Sequence, residues 1–258
     1  MNTIAIIGAG NMGSAIARGL ARNNYDVRVS NPSASKLERL QADCPGIFTT
    51  LENCVAVKDA PVVILAVRPD NVRDVLAEIH ADLADGALVA TLSPAFTLAD
   101  LTEYLPDHAY GARLMPNTAI AVGRSMSFIS YGEHVPSDVR ARLTAAIELL
   151  GAAAVIPERL MGAASALCSC GLAFALRYVR ASVEGAVQLG IAPGDATRYV
   201  AATLAGAVAM LESDNLHPEV EIDRVTTPGG TTIRGLNAME AAGFTNAVIQ
   251  GLLASSHE

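Results

Sequence analysis

Three glycines near the start of the chain have the spacing of a dinucleotide-binding turn. Gly8, Gly10 and Gly13 follow a short apolar run and precede a stretch typical of a helix, with Asn11 and Met12 between them. The first glycine permits a tight turn, the second lets the backbone approach a pyrophosphate, and the third lets the helix pack on the strand. The helix N-terminus adds N–H groups and a positive dipole end. The motif predicts a dinucleotide site; the alternative is a glycine-rich turn without a ligand.

The segment after the second predicted strand bears on which dinucleotide would bind. A site for NAD usually ends this strand with Asp or Glu, which holds the ribose 2′-hydroxyl. Here the strand runs into Ser30, Asn31 and Ser33, and Lys36 follows about one helical turn later. Hydroxyls, an amide and a cation suit a 2′-phosphate, which a carboxylate would repel. We therefore expect NADP(H) to be preferred, with NAD(H) possible; an ordinary Asn-Pro turn is the alternative.

Two further polar segments follow predicted strands. Ala66, Val67, Arg68 and Pro69 come at the end of a continuous apolar run, and Asn117 follows another strand in the stretch RLMPNT. Ligands of open α/β sheets bind at the carboxyl edge of the strands, so these residues are candidates for contact with a cofactor. The alternative is that Pro and Asn occur here only for turning.

A threonine- and glycine-rich segment in the second half is a candidate anion site. The sequence TTPGGTTI contains Thr227, Gly229, Gly230, Thr231 and Thr232 and precedes a helical run. Backbone N–H groups and hydroxyls gathered before a helix N-terminus suit a small carboxylate, and no cation is needed. The alternative is a capped helix start, in which Thr231 or Thr232 is only the N-cap.

Strand and helix patterns alternate through the first 155 residues. This alternation predicts βαβ units and a Rossmann-like, doubly wound parallel sheet. A continuous apolar strand such as VVILAV is expected in the middle of a sheet that is covered on both faces. The predicted strands are 3–7, 27–30, 47–49, 62–67, 88–91 and 111–114, and the predicted helices are 12–22, 51–58, 71–81, 97–104 and 137–150.

Strand patterns disappear after residue 157. Apolar residues recur at helical spacing over 172–187 and again over 200–211, with Gly190 and Pro193 between the two runs. We predict a dinucleotide-binding domain over 1–156 and an all-helical domain over 157–258. The helical domain is too thin to bury both stripes unaided, so it is expected to form a dimer.

Composition excludes several classes of protein. The net charge is −8 and the 18 basic residues are scattered, which argues against a nucleic-acid partner. The four cysteines lack metal-site spacing, so we expect no metal and a reduced, cytoplasmic protein. The uncharged run 160–176 has 17 residues, near the lower limit of a membrane span, but it is rich in Ala, Ser, Cys and Gly. We expect a buried core helix there and no membrane.

Taken together, the motifs resemble those of the pyrroline-5-carboxylate reductase family. GAGNMG, AVRP (usually AVKP in the family), RLMPNT, His217-Pro218 and TPGGTTI occur in the family's order and spacing over nearly the whole chain. The resemblance implies a Rossmann domain, a helical domain that dimerises by interleaving, and hydride transfer from NAD(P)H to a cyclic imino acid. It also implies that Asn53 contacts the adenosine side of the cofactor. Thr227 and Thr232 match hydroxyls that line the substrate, with Thr232 the candidate catalytic residue.

Three segments depart from the family pattern. CSCGLAF over 168–174 stands where the family usually has SGSGPAF, and Ser93-Pro94-Ala95 stands where it has AAG beside the nicotinamide. Ala119 replaces the usual second proline after Asn117-Thr118. Two alternatives therefore stay open: a related reductase for another carboxylated cyclic imine, and a non-catalytic nucleotide-binding paralogue. A β-hydroxyacid dehydrogenase would need a lysine in the helical domain, and no lysine follows Lys58.

Overall fold

An eight-stranded sheet organises the N-terminal part of the protein. The computed structural model describes residues 3–214 and 217–256. The strand order is β3-β2-β1-β4-β5-β6-β7-β8, and neighbouring strands are parallel except β6 and β7. The carboxyl ends of β1 to β6 therefore meet at one edge, and β7 and β8 run in the opposite direction. The strands are β1 (Thr3–Ile7), β2 (Asp26–Ser30), β3 (Phe48–Thr50), β4 (Val62–Leu65), β5 (Leu88–Thr91), β6 (Tyr110–Met115), β7 (Ser125–Tyr131) and β8 (Gly151–Val155).

Helices cover both faces of this sheet. Side chains alternate along β1, so that Ile4 and Ile6 join one apolar core while Ala5 and Ile7 join the other. Burial on both faces explains why the central strands are continuous apolar runs. The helices are α1 (Asn11–Arg22), α2 (Ala34–Asp43), α3 (Asn53–Val57), α4 (Val72–Ile79), α5 (Leu98–Tyr104), α6 (Ser137–Glu148) and α7 (Met161–Ser165), followed by a π-helical turn over Ala166–Cys170.

The doubly wound parallel sheet is confirmed, and two strands were not predicted. The strand β7 lacks the usual alternation of apolar and polar residues, because Ser127 and Ser130 are buried although they are polar. Hydroxyl bonds make this burial possible: Ser130 Oγ donates to Ile156 O. The strand β8 has the sequence GAAAV, which lacks the β-branched run that usually signals a strand. Both strands extend the sheet beyond β6.

The C-terminal part of the described chain is helical, as predicted. Its helices are α8 (Gly171–Gln188), α9 (Pro193–Asp214), α10 (Pro218–Arg224), α11 (Thr231–Ala241) and α12 (Phe244–Ser255). The chain divides into two units between Ser169 and Cys170, which we call the sheet unit and the helical unit. The predicted domain boundary at residues 156 and 157 stays a prediction.

The helical unit leaves much apolar surface uncovered. Leu176 is 61% exposed and Val208 is 53% exposed. By length and composition, the helical stretch Glu158–Gln188 could cross a membrane, and only 11% of its most apolar 18-residue window is buried. The expected buried core helix over 160–176 is therefore wrong for the single chain, because this chain does not supply enough neighbouring side chains to cover it. Exposed apolar surface of this extent is typical of an interaction site.

Candidate active site

The glycine turn joins β1 to α1 at the carboxyl edge of the sheet. Gly8 has φ +110°, a conformation that L side chains rarely adopt, and its N–H donates to Ser30 O at 2.8 Å. Gly13 lies in the first turn of α1, where an added Cβ would lie 2.9 Å from Ala66 Cβ. Gly10 is the N-cap of α1, and an added Cβ there would meet no atom within 4 Å. The open side of Gly10 and the free N–H groups of α1 fit a pyrophosphate.

The first two residues of α1 have different environments. Asn11 is exposed beside the glycine turn, whereas Met12 is half-buried against the sheet core. Both lie in the helical turn whose N–H groups have no intrahelical acceptor. This position is consistent with backbone contact to a phosphate.

Asn31 connects the glycine turn to the turn after β2. The side chain is 7% exposed. Its Oδ1 accepts from Ala9 N at 3.1 Å, and its Nδ2 donates to Ser33 O at 3.3 Å. Because the amide is used at both ends within the protein, Asn31 shapes the two turns that a dinucleotide would contact.

Ser30 and Asn53 form a hydrogen-bonded pair at the same edge. Ser30 is fully buried, and its Oγ donates to Asn53 Oδ1 at 2.7 Å. Asn53 Nδ2 in turn donates to Glu78 Oε2 at 2.7 Å. Ser30 therefore holds the orientation of Asn53, and contact between Asn53 and a cofactor stays a prediction.

A basic cavity of about 280 Å³ lies beside the glycine turn. Lys36 and Arg39 on α2 line it together with Gly10 and Asn11 of the turn. Ser33, the N-cap of α2, has its Oγ 3.1 Å from Ser35 Oγ. Two cations beside hydroxyls, at the end of the second strand, are the groups that a 2′-phosphate needs.

The segment after β4 lies next to the glycine turn. Ala66 N donates to Ile7 O at 2.8 Å, so the chain stays paired with β1 one residue beyond the strand. Val67 is half-buried, and Arg68 and Pro69 are exposed. The predicted cofactor residues 66–69 and the glycine turn therefore occupy adjacent strand ends.

Asn117 is surrounded by hydrogen-bonding partners inside the protein. Its N–H donates to Ser125 Oγ and its Oδ1 accepts from Ala119 N, both at 3.1 Å. Its Nδ2 donates to Cys168 O at 3.0 Å, in the π-helical turn. The side chain is 7% exposed, so it links the end of β6 to that turn. Contact between Asn117 and a cofactor stays a prediction.

An ion pair that was not predicted as part of the site lies at the end of β6. Arg113 Nη1 donates to Glu158 Oε1 at 2.9 Å, and Arg113 Nη2 donates to Pro94 O at 2.8 Å. Glu158 Oε1 also accepts from Leu98 N at 2.8 Å. Arg113 stood in the motif RLMPNT, but 45 residues separate it from Glu158, and no local pattern signals a pairing over that distance.

Two cysteines, Cys54 and Cys168, have thiols whose pKa is raised, which disfavours the thiolate at neutral pH. A hydrogen bond with Asp82, followed by burial, raises the pKa of Cys54 to about 11. Burial also raises the pKa of Cys168. Since the thiolate is the nucleophile, neither residue is a candidate for covalent catalysis. Within the described residues no group of His, Cys, Asp and Glu is arranged to hold a metal.

The threonine- and glycine-rich segment opens α11 in the helical unit. Gly230 is the N-cap, and Gly230 N donates to Thr227 O at 2.9 Å. The alternative in which Thr231 or Thr232 caps the helix is therefore wrong. Both threonines lie in the first turn, exposed, beside N–H groups that have no intrahelical acceptor.

The predicted site residues thus form two groups. The cofactor candidates lie together at the carboxyl edge of the sheet unit, and the substrate candidates lie together at the start of α11 in the helical unit. Each group has backbone donors suited to an anion.

Comparison with known proteins finds matches over the parts of the chain that contain the two groups. Residues 158–258 match the family model "Pyrroline-5-carboxylate reductase dimerisation", and residues 3–94 match "NADP oxidoreductase coenzyme F420-dependent". Pyrroline-5-carboxylate reductase 1 of Dictyostelium discoideum is 35% identical over 99% of this chain, which spans 49% of that relative's length. The pyrroline-5-carboxylate reductase of Methanosarcina acetivorans is 34% identical, over 96% of this chain and 94% of the relative.

A solved structure shows the same architecture. The pyrroline-5-carboxylate reductase of Coxiella burnetii is 29% identical, with a TM-score of 0.90 over 98% of this chain and 95% of that one. The similarity covers the sheet, the helices and both candidate groups. The resemblance seen in the motifs is confirmed, and the chain belongs to the pyrroline-5-carboxylate reductase family.

Proposed function

We propose that this protein reduces 1-pyrroline-5-carboxylate to proline with NADPH, as a step of proline biosynthesis. The observation that carries the proposal is the start of α11, where Gly230 caps the helix and Thr231 and Thr232 are exposed beside free N–H groups. This cradle can hold a carboxylate without a cation. It occurs in a chain that is similar over nearly its whole length to pyrroline-5-carboxylate reductases.

The cofactor proposal is NADP(H) in preference to NAD(H). The glycine turn and α1 would hold the pyrophosphate, while Ser33, Lys36 and Arg39 would hold the 2′-phosphate. The match to an NADP oxidoreductase model over residues 3–94 supports this choice. When bound, NADPH supplies the hydride for the reaction. NAD(H) is the alternative cofactor, because the glycine turn and α1 would contact the pyrophosphate that both dinucleotides share.

In this reaction the main contribution of the protein would be to position the substrate. A hydride adds to the imine carbon and a proton adds to the ring nitrogen, which gives proline and the oxidised dinucleotide. A cyclic imine is readily protonated near neutral pH, so orientation matters more than a strong acid. The backbone N–H groups of Gly229 and Thr231 would fix the carboxylate, with the Thr227 hydroxyl beside it, while Gly230 N–H, which donates to Thr227 O, holds the turn in shape. Thr232 would hydrogen-bond near the ring nitrogen and pass a proton through water.

A second candidate is a related reductase that acts on another carboxylated cyclic imine. The departures at Ser93-Pro94-Ala95 and over 168–172 favour it, because Cys168 belongs to the turn that Asn117 binds. A non-catalytic nucleotide-binding paralogue is the remaining alternative. The complete TPGGTT segment argues against it.

We further propose that the working form is a cytoplasmic homodimer or a multiple of dimers. The exposed apolar side chains of α8 and α9 support a second copy as the partner, since residues 158–258 match a dimerisation model. The net charge of −8 supports the absence of a nucleic-acid partner. Pairing with a second copy would also cover the apolar helices without a membrane.

The test is a steady-state assay of NADPH oxidation with a panel of cyclic imino acids of different ring size. We expect the highest kcat/KM with 1-pyrroline-5-carboxylate and formation of one proline per NADPH consumed. A higher kcat/KM with another ring would establish the second candidate. NADPH binding without turnover of any imine would establish the paralogue and refute the proposed function.

A further inference from the structure

We propose that Arg113 and Glu158 are positioning residues that hold the loop between β5 and α5 in place for hydride transfer. This inference rests on the proposed function and adds two residues to its machinery. The loop comprises residues 92–97, and we call it the β5 loop.

The ion pair fastens the β5 loop at both ends. Arg113 Nη2 donates to the carbonyl of Pro94 at 2.8 Å, near the beginning of the loop. Glu158 Oε1 accepts from the N–H of Leu98 at 2.8 Å, just after the loop. The same carboxylate oxygen accepts from Arg113 Nη1 at 2.9 Å. One guanidinium and one carboxylate therefore tie together the β5 loop, the end of β6 and the segment that begins at Glu158.

Stability alone explains this arrangement poorly. The Arg113 side chain is 10% exposed and the Glu158 side chain is 31% exposed, so both charges are largely removed from water. A buried ion pair often stabilises a fold no more than apolar residues of the same volume would, because desolvation offsets the attraction. Arg113 Nε and Ser93 Oγ are also buried without a partner among the described residues. Polar groups retained at such a cost point to a demand for geometry.

The position of the β5 loop explains why its geometry would matter for the reaction. In a doubly wound sheet the two halves bind the two nucleotides on either side of the point where the strand order reverses. Here the order reverses between β1 and β4. The glycine turn and the basic cavity belong to the β1–β3 half, so the nicotinamide belongs to the half that contains β4, β5 and β6. The β5 loop lies at the carboxyl edge of that half, with Pro94 and Ala95 exposed.

The chemistry of the two side chains indicates how each could fail. A lysine at position 113 keeps the charge beside Glu158, but one ammonium cannot replace the planar fork that reaches both Glu158 and Pro94. A glutamine at position 158 keeps an oxygen for Leu98 N–H but leaves the buried guanidinium without a counter-charge. Arg113→Lys should therefore break the hydrogen bond to Pro94 O and release the start of the loop. Glu158→Gln should weaken the contacts at Pro94 O and at Leu98 N–H.

The first test measures kinetics of Arg113→Lys and Glu158→Gln, with Arg142→Lys as a matched control. Arg142 forms an exposed ion pair with Asp138 at 3.0 Å on α6, away from the loop. We expect kcat to fall by roughly 10- to 100-fold in Arg113→Lys, since a misplacement of about 1 Å can reduce the rate by about 100-fold. The KM for NADPH should change less than about threefold, and the isotope effect with deuterated NADPH should rise. Arg142→Lys should match the wild type.

The second test does not depend on turnover. It measures hydrogen exchange of the peptide that covers residues 92–101 and so reports on the order of the β5 loop. We expect exchange roughly fivefold faster in Arg113→Lys, as for the loss of one hydrogen bond, and unchanged in Arg142→Lys. If the wild type is active and both variants keep its kcat and isotope effect, the inference is overturned. Unchanged hydrogen exchange of the 92–101 peptide in the variants would also overturn it. A wild type that turns over no imine would refute the proposed function instead, and the exchange experiment would still decide whether the pair holds the loop. If Arg113→Lys does not fold, Glu158→Gln carries both measurements.

Discussion

Replacement of Thr232 by alanine separates a role in catalysis from a role in stability. Thr232 is the second residue of α11, and Gly230 is the N-cap, so the Thr232 hydroxyl contributes no cap to the helix. The side chain is exposed. In Thr232→Ala only the hydroxyl and one methyl group are lost, at the point where we place the imine nitrogen.

The two expected magnitudes have different origins. A hydrogen bond to a charged or buried partner contributes about 1–3 kcal/mol, so kcat/KM for the imine should fall about 5- to 150-fold. Alanine is a better helix former than threonine by up to about 0.7 kcal/mol, so the free energy of unfolding should stay the same or rise slightly. Thr232→Ser keeps the hydroxyl and should retain most of the activity.

The assay combines steady-state kinetics at saturating NADPH with thermal unfolding of the same preparations. Thr197→Ala is a matched control, because Thr197 lies near the start of α9 and its hydroxyl donates to Pro193 O within its own helix. We expect the control to keep wild-type kinetics. Unchanged kcat/KM in Thr232→Ala, or a fall in activity that merely follows a lower melting temperature, would refute the assignment of Thr232.

Gly230→Ala tests the same segment through its backbone. Gly230 has φ −69°, which any residue adopts, but an added Cβ would lie 2.5 Å from Thr227 Oγ1 and 3.0 Å from Thr227 O. The Thr227 hydroxyl must therefore move, and we expect the KM for the imine to rise about tenfold or more while NADPH binding is unchanged. Gly235→Ala on the same helix meets no atom within 4 Å and is the control. Equal kinetics in the two variants would contradict the cradle.

Three further predictions concern the cofactor, the oligomer and a helix cap. Lys36→Gln should weaken NADPH about fivefold, since an exposed charge contact contributes about 1 kcal/mol, and should leave NADH unchanged in a binding titration, with Lys58→Gln as the control. Leu176→Asp places a charge at a position that is 61% exposed in the single chain. Sedimentation should then show a monomer or a less stable dimer. An intact dimer of wild-type stability would exclude this face from the dimer interface. Asp100→Asn removes a carboxylate whose pKa is lowered below its ordinary 3.8 by hydrogen bonds from Thr97, so the melting temperature should fall at neutral pH. That difference should disappear as the pH falls through the lowered pKa, because a carboxylate with a depressed pKa stabilises the fold only while it is ionised.

The sequence by itself determined the features that depend on local chain geometry. The turn from Gly8 to Gly13 needs particular residues because its backbone has a positive φ at Gly8 and packs closely at Gly13. The run VVIL in β4 is apolar throughout because helices cover both of its faces. Each constraint restricts the residue types of one short segment, so its pattern is visible in the chain and predicted the doubly wound sheet.

The tertiary structure decided whatever depends on residues that are distant in the chain. The strand β7 could not be found from its period, because its buried serines are satisfied by partners elsewhere, such as Ile156 O. The pair of Arg113 and Glu158 exists only because the end of β6 meets the segment that begins 45 residues later. The identity of Gly230 as the N-cap of α11 required backbone angles, since three neighbouring residues, Gly230, Thr231 and Thr232, could each have capped that helix. Local patterns record which residues a turn or strand tolerates, whereas long-range pairing depends on which segments the completed fold brings into contact.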